Sequence, residues 1–258
     1  TGPEIKGKTL GVVGLGAIGI LVANAAKSLG MQVYGYDPYL SVDAAWSLSR
    51  DIKHATSLDD IFAKSDYITV HVPLTEETRG LISKASIAKM KDGVRIVNFA
   101  RGDLVNSKDI LEALQNGKVA AYATDFPSDE LIGESGVIAI PHLGASTPES
   151  EDNCAAMAAD ELKDYLEEGV IRNSVNLPNV VLPRSADTRI CLIHKNVPSM
   201  LNQITATLTE KNVNIDNMIN KSKKAFAYTV IDTNDAIGDD TLAALSAIEG
   251  IVRVRVIR

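Results

Sequence analysis

Cysteine is scarce in this chain: Cys154 and Cys191 are the only two in 258 residues, too few for a disulfide framework. Basic charge is not in excess, because 26 Lys and Arg stand against 33 Asp and Glu for a net charge of −7. That balance leaves no electrostatic footprint for the phosphates of nucleic acid. No apolar run approaches the roughly 20 residues that a membrane span requires, and no signal peptide is expected. The four histidines and two cysteines show no metal-ligand spacing, so no metal site is expected. With nucleic acid, membrane and metal set aside, the expectation is a soluble protein of a reducing cytoplasm.

What is present fits an ordinary globular protein, 45% hydrophobic and 23% charged, with room for two modest domains. The chain opens Thr1-Gly2-Pro3 rather than with Met and soon enters a buried-strand pattern, so it reads as the interior of a longer one. Residues 1–185 carry 25 acidic and 17 basic side chains, net −8, whereas residues 186–258 carry 8 and 9, net +1. The break falls at Pro178–Arg184, where two prolines bias the backbone to extended geometry as linkers do.

Upstream of that break, apolar runs at Thr9–Val13, Gln32–Tyr36, Ile68–Val72, Arg95–Asn98, Tyr122–Asp125 and Val137–Ile140 read as strands. Helical patterns lie between them at Ile18–Leu29, Leu58–Lys64, Ile87–Met90 and Lys108–Asn116. The alternation predicts an α/β fold: a Rossmann-type parallel sheet with helices on both faces. A further helix is expected over Pro148–Glu168. Downstream, Arg189–Ile193, Met200–Lys211, Ile215–Lys221, Ala225–Thr233, Thr241–Ala247 and Val252–Ile257 spell βαββαβ, the ferredoxin-like order. RNA-binding domains share it but stack bases on exposed aromatics, and Phe226 and Tyr228 are the only aromatics after residue 185. The domains expected are 1–147, a connecting helix and linker at 148–185, and 186–258.

Gly14-Leu15-Gly16-Ala17-Ile18-Gly19 follows the first strand and opens a helix, the context that a dinucleotide fingerprint needs. Gly14 makes the tight turn, Gly16 admits a pyrophosphate and Gly19 lets helix and strand pack closely, with the helix N-terminus facing the phosphates. Asp37 ends the second strand, 18 residues past Gly19, where a carboxylate bonds a ribose 2′-OH and selects NAD over NADP. Arg101, at the carboxyl end of a strand in Asn-Phe-Ala-Arg-Gly, suits a bidentate grip on a substrate carboxylate. His142, in Pro-His-Leu-Gly-Ala-Ser-Thr, can exchange a proton near neutral pH. Glu130 lies 12 residues before it and is a candidate to orient its ring. Cys154 and Cys191 are expected to be reduced and packed, Trp46 to cover a helix, His54 to be solvated and His71 to line the cofactor loop.

Together these residues resemble the D-isomer-specific 2-hydroxyacid dehydrogenases. The likeness is carried by Lys-Gly-Lys-Thr-Leu-Gly-Val-Val-Gly-Leu-Gly-Ala-Ile-Gly, Tyr-Asp-Pro-Tyr at Tyr36–Tyr39, His-Val-Pro-Leu-Thr from His71, Asn-Phe-Ala-Arg-Gly and Pro-His-Leu-Gly-Ala-Ser-Thr. The resemblance implies NAD as cofactor, with contacts at Ala17, Ile18, Asp37, Phe99, Ala100, Asp125, Gly144 and Ala145 besides Arg101, His142 and the glycines. It implies that Arg101 binds the carboxylate and polarises the carbonyl, that His142 is the acid/base, and that Glu130 keeps His142 protonated for reduction. One departure is that the usual Glu-Pro pair reads Glu130-Leu131.

The last domain resembles an ACT domain, and its attachment points to the branch that oxidises 3-phosphoglycerate at the start of serine biosynthesis; another 2-hydroxy acid is the alternative substrate. An L-serine effector is implied at a domain interface, held by His194, Asn196 and Asn214, although Ser199 stands where serine-sensing members tend to carry Gly. The resemblance also implies a homodimer or homotetramer. The resemblance implies a substrate-binding segment ahead of the nucleotide domain, and none is expected within this sequence, so a catalytically incomplete nucleotide-binding and effector-sensing fragment is the competing expectation.

Overall fold

Short strands apolar on both faces alternate with helices to build the first part of the chain. In the computed structural model, which describes residues 2–144 and 146–258, the order is β1 (Thr9–Val13), α1 (Ala17–Ser28), β2 (Gln32–Tyr36), α2 (Val42–Trp46), β3 (Lys53–His54), α3 (Leu58–Lys64), β4 (Tyr67–Val70), α4 (Lys84–Ile87), β5 (Val94–Asn98), a 3-10 turn (Gly102–Leu104), α5 (Ser107–Gln115), β6 (Val119–Thr124) and β7 (Val137–Ala139). The strands lie in the order β3-β2-β1-β4-β5-β6-β7, every adjacent pair parallel. The chain winds outward from β1 to β3 and then returns to β4 on the other side of β1. Strand order therefore reverses between β1 and β4, and such a switch point opens a ligand crevice at the carboxyl ends of the strands. The sheet is Rossmann-like, as expected.

Both faces of β1 are covered. Leu10 and Val12 pack with Val33, Ile20, Ala23 and Ala26 under α1, whereas Val13 joins Ile61, Phe62, Ile68 and Val70 on the opposite face. Each fully buried side chain of this kind contributes roughly 1.5–3 kcal/mol. A Cβ on Gly11 would stand 2.6 Å from Ile61 Cγ2, so α3 lies directly against the strand.

Two elements fall outside the sequence expectation, α2 and β3. Neither buries a residue, so neither leaves an apolar periodicity to read. Trp46 belongs to α2 and, rather than covering a helix, is 81% exposed. The helix expected at Ile87–Met90 starts earlier, at Lys84, because Ser86 Oγ accepts the Ser83 N–H at 2.8 Å and fixes the first turn there.

The contacts divide the chain into two compact units on either side of residues 144 and 145. The second unit contains α6 (Pro148–Glu168), β8 (Thr188–Lys195), α7 (Met200–Glu210), β9 (Asn217–Lys223), β10 (Phe226–Thr233), α8 (Asp239–Ser246) and β11 (Ile251–Ile257). Its four strands form an antiparallel sheet in the order β11-β8-β10-β9, so residues 186–258 have the βαββαβ order read from the sequence. Ile190, Leu192 and Ile231 face a core closed by Ile204 and Leu208 of α7 and Leu245 of α8. The opposite face is also covered: Cys191, Tyr228 and Val230 pack against Ile171 and Val180. The stretch around Pro178–Arg184 is thus no free linker, since Ile171 and Val180 exchange both backbone hydrogen bonds and dock on the sheet. Cys191 is packed there, while Cys154 on α6 is exposed, contrary to expectation.

One ion pair lies wholly inside this unit. Arg189 of β8 donates Nε and Nη2 to the two oxygens of Asp232 on β10 at 2.7 and 2.8 Å, with side chains 1% and 0% exposed. Ser185 adds its N–H and hydroxyl to Oδ2 at 3.0 Å each. Burial pushes the Asp232 carboxyl up, but these donors and the Arg189 charge outweigh it and hold the group below its ordinary 3.8. A carboxylate depressed in the folded state gives stability that is present above the unfolded pKa and lost as pH falls through the folded value. Thermal midpoints of the chain are therefore expected to decline below about pH 4. Asp232→Ala, which strands a buried guanidinium, should cost about 3–5 kcal/mol by urea unfolding of the same unit; an unchanged midpoint would contradict the pair's role.

Candidate functional site

The loop between β1 and α1 is shaped by two close approaches. Gly14 has φ +92°, and a Cβ there would lie 2.7 Å from the His71 carbonyl; a Cβ on Gly19 would lie 1.9 Å from the Gly14 carbonyl. Neither position admits a side chain. At Gly16 an added Cβ meets nothing within 4 Å, so this glycine faces open space in front of α1. Gly16 is also the N-cap of α1 and supplies no side chain to bond the first N–H groups. The first turn, with Ala17 and an Ile18 that is 66% exposed, therefore presents backbone donors and the positive end of the helix dipole to that space.

Asp37 sits just past β2 and ties the two halves of this cradle. Its Oδ2 accepts the Leu15 N–H at 2.9 Å and its Oδ1 the Tyr39 N–H at 2.8 Å; each oxygen retains a lone pair for a hydroxyl. His71 stands behind the glycines, its Nε2 3.0 Å from Thr69 Oγ1, and burial pushes its pKa down, keeping the ring neutral. It lines the loop as expected.

Farther along the same edge, Asn98 closes β5 fully buried. Its Nδ2 donates to the Arg101 carbonyl at 2.9 Å and its Oδ1 accepts the Ala100 N–H at 3.2 Å, which folds Phe99, Ala100 and Arg101 into a turn over the strand end. Arg101 borders a cleft of about 420 Å³ with Tyr122, Phe126, Ser107 and Ser128. Sequence reasoning did not single out Asn98; the signal available was a polar residue ending an otherwise apolar strand.

His142 is paired with Asp125, not with Glu130. Its Nδ1 lies 2.8 Å from Asp125 Oδ2, and its ring lies 4.3 Å from that of Phe126. The reason is the parallel register of β6 and β7: Thr124 pairs with Ala139 and Ile140 N–H bonds the Thr124 carbonyl, so residues leaving the two strands emerge side by side. Glu130 lies in the intervening turns and borders a different cleft, with Arg79, Asp103, Asn106 and Lys108. An Nδ1–H held by a carboxylate leaves Nε2 as the proton-exchanging atom. Among the described residues Asp125 Oδ1 is buried with no partner, a state that costs free energy until a donor arrives. Gly144 follows with φ +51°, whereas Ala145 lies outside the described residues.

This set fits a dinucleotide. The open space at Gly16, the uncapped helix start, the carboxylate at the end of β2 and the unpartnered Asp125 oxygen lie along the carboxyl ends of one parallel sheet. Among the described residues no cluster of His, Cys, Asp and Glu could hold a metal ion, and no helix is long and apolar enough to cross a membrane.

The second unit does not bring its three candidate effector residues together. His194 is buried at the end of β8, with Nδ1 2.8 Å from the Lys195 carbonyl and Nε2 2.8 Å from Thr229 Oγ1. Asn196 holds the turn before β10 through the Lys224 carbonyl. Asn214 precedes β9 at the other end of the sheet, its N–H on Asp235 and its Nδ2 on Asp216. With β10 pairing Ala227 to His194 and Asp232 to Arg189, the two ends stand roughly 17 Å apart at about 3.3 Å per residue. Ser199 adopts φ +65°, the left-handed region that explains why glycine suits this position.

A family model described as "D-isomer specific 2-hydroxyacid dehydrogenase, NAD binding domain" matches residues 1–144. A Bacillus subtilis protein called D-3-phosphoglycerate dehydrogenase is 42% identical over 69% of this chain and 34% of its own length. A Haemophilus influenzae protein of the same name is 35% identical over 98% of this chain and 64% of its own. Among solved structures, a glyoxylate reductase from Paecilomyes thermophila superposes with TM-score 0.61 at 32% identity, covering 67% of this chain and 54% of that one. The chain thus spans between about a third and two thirds of the length of these relatives.

The loop geometry separates two glycine substitutions. Gly16→Ala should leave the unfolding midpoint unchanged and weaken NADH binding read by fluorescence, whereas Gly19→Ala should lower the midpoint itself. Equal effects of both would contradict the cradle. At Ser199, replacement by Gly relieves the left-handed strain and should raise stability by up to about 1 kcal/mol in urea unfolding.

Proposed function

The chain belongs to the D-isomer-specific 2-hydroxyacid dehydrogenases, and from that premise we propose that it serves the NAD-dependent oxidation of 3-phosphoglycerate to 3-phosphohydroxypyruvate, the entry to L-serine biosynthesis. The observation that carries this reading is the His142–Asp125 pair, which stands at the same edge of the sheet as Arg101 and the glycine cradle. The substrate assignment rests on the Haemophilus influenzae relative, whose similarity runs through both units.

NAD, when bound, would supply the acceptor for the hydride that leaves the carbon carrying the substrate hydroxyl. The chain's own residues do the rest. Gly16, Ala17, Ile18 and Gly19 would hold the diphosphate on backbone N–H groups, with Gly14, whose own N–H is bonded to the Tyr36 carbonyl, making the turn, and Asp37 would take the ribose hydroxyls. Phe99, Ala100 and Gly144 would line the nicotinamide end, and Asp125 Oδ1, which has no partner among the described residues, would accept a donor there. Arg101 grips the substrate carboxylate through its planar fork. His142 takes the hydroxyl proton at Nε2 in oxidation and returns it in reduction. Asp125 orients the ring through Nδ1, the part that the sequence assigned to Glu130.

The second unit is read as an ACT domain. Because His194 and Asn196 lie at one end of its sheet and Asn214 at the other, a serine effector would bridge two copies, in keeping with a homodimer or homotetramer. A second reading is favoured by α6, none of whose 21 residues is buried: a nucleotide-binding and effector-sensing module without turnover of its own. Another D-2-hydroxy acid remains the alternative substrate.

NADH oxidation with 3-phosphohydroxypyruvate, followed beside NADH fluorescence, decides among these. His142→Ala is expected to reduce turnover about 10²–10⁴-fold with NADH affinity unchanged, and Asp125→Asn to lower kcat as well. Binding without turnover in the parent chain supports the module, and failure to bind NADH would defeat the cofactor site.

A further inference from the structure

A buried polar cluster closes the carboxyl ends of β5 and β6. The parallel register pairs Asn98 with Thr124 and Ile96 with Tyr122, and because side chains alternate along a strand these four share one face of the sheet. Ile96 and Tyr122 belong to the apolar core, whereas Asn98 and Thr124, beyond them, are polar and fully buried. Tyr122 spans the two layers. Its ring packs in the core, and its hydroxyl accepts a hydrogen bond from Asn98 Nδ2 at 3.3 Å.

That contact completes the Asn98 amide. Nδ2 carries two hydrogens; it donates to the Arg101 carbonyl at 2.9 Å and to the Tyr122 hydroxyl, while Oδ1 accepts the Ala100 N–H at 3.2 Å. The orientation of the amide is thereby fixed, since turning it over would set its NH2 against the Ala100 N–H. Burial pushes the Tyr122 phenol up, so the group stays a neutral hydroxyl. Without it, one Asn98 N–H would stand unmet in a buried place, which is costly, and the amide would be drawn out of line with the Arg101 carbonyl.

Strand β6 also serves the other half of the site. Thr124 Oγ1 accepts the Phe126 N–H at 3.0 Å, shaping the turn from which Asp125 meets His142. Tyr122, Phe126 and Arg101 border the same cleft. The Arg101 side chain is exposed, and its hydrogen bond among the described residues goes to the neighbouring Ala100 carbonyl at 2.6 Å. Its starting position therefore derives from the backbone turn that Asn98 holds.

We propose that Tyr122 is a positioning residue of this site: its hydroxyl, acting through Asn98, ties the Arg101 turn to β6, the strand from which Asp125 leaves. The carboxylate grip and the proton-exchanging ring then take their places from one strand. The inference rests on the reading of Arg101 as the group that takes a substrate carboxylate. Tyr122 works by alignment, not by bulk, and needs no contact with the substrate.

The test compares the whole chain with Tyr122→Phe, which keeps the ring in the core, and with Ile96→Val, which trims the same face without touching the amide. Oxalate, a small dicarboxylate, is titrated into the NADH-loaded chain as the probe of the Arg101 grip, and NADH fluorescence reads both affinities. Tyr122→Phe should weaken oxalate binding about tenfold, the size of one unmet buried hydrogen bond. NADH affinity, carried by the glycine cradle and Asp37, should not change. In the ligand-free variant the Asn98 side-chain amide and Arg101 backbone amide resonances should shift. Ile96→Val should alter neither affinity. Parental oxalate affinity or unmoved resonances in Tyr122→Phe would overturn the positioning role, as would an equal oxalate loss in Ile96→Val, the mark of a packing effect. A parent that binds NADH but no oxalate would defeat the reading of Arg101 instead, and the ligand-free resonances would still decide whether Tyr122 holds the turn.

Discussion

The approach of Gly19 to the Gly14 carbonyl, so tight that a Cβ would stand 1.9 Å away, sets the position of everything at the crevice. It brings the start of α1 down onto the end of β1, aims the first turn at the space in front of Gly16, and leaves Asp37 within reach of the Leu15 N–H. The sheet supplies the complementary half. Reversal of strand order beside β1 keeps α1 and its neighbours from closing that space, so a cradle made of backbone remains open to a ligand.

The second unit is organised by a different interaction, the buried pair of Arg189 and Asp232. Its value lies less in net stability, which a hydrophobic replacement can match, than in direction. Asp232 takes Nε and Nη2, which frees Nη1 for the Glu168 carbonyl. One guanidinium thus joins two strands and the end of a helix, and Ser185 brings the incoming chain to the same carboxylate.

Much of this was readable from residues. Strands β1, β2, β5 and β10 and helices α1, α3 and α7 announce themselves because buried faces impose periodicity, and Gly14 and Gly19 of the fingerprint stand where sterics permit no side chain. Elements with no buried face, α2 and β3, leave no such trace. The docking of Ile171 and Val180 on the second sheet is a tertiary event that prolines nearby disguise as a linker. At the site, Gly14, Gly16, Gly19, Asp37, Arg101 and His142 are legible as candidates, but the side chain that meets His142 is Asp125 rather than the expected Glu130. Proximity along the chain was used where the register of two parallel strands decides.

That register has a bearing on how the dyad tolerates change. Asp125 and His142 are each placed by the strand they leave, and β6 and β7 are locked by backbone ladder bonds. Between them Phe126 packs its ring 4.3 Å from the imidazole and Leu131 is buried in the core, but the other residues of the intervening turns carry none of the hydrogen-bond geometry. A change of length there leaves the 2.8 Å contact in place, whereas a slip of one residue in β7 would turn the side chains after it to the opposite face. Insertion tolerance and catalytic fidelity are, at this edge, assigned to separate stretches of the same chain.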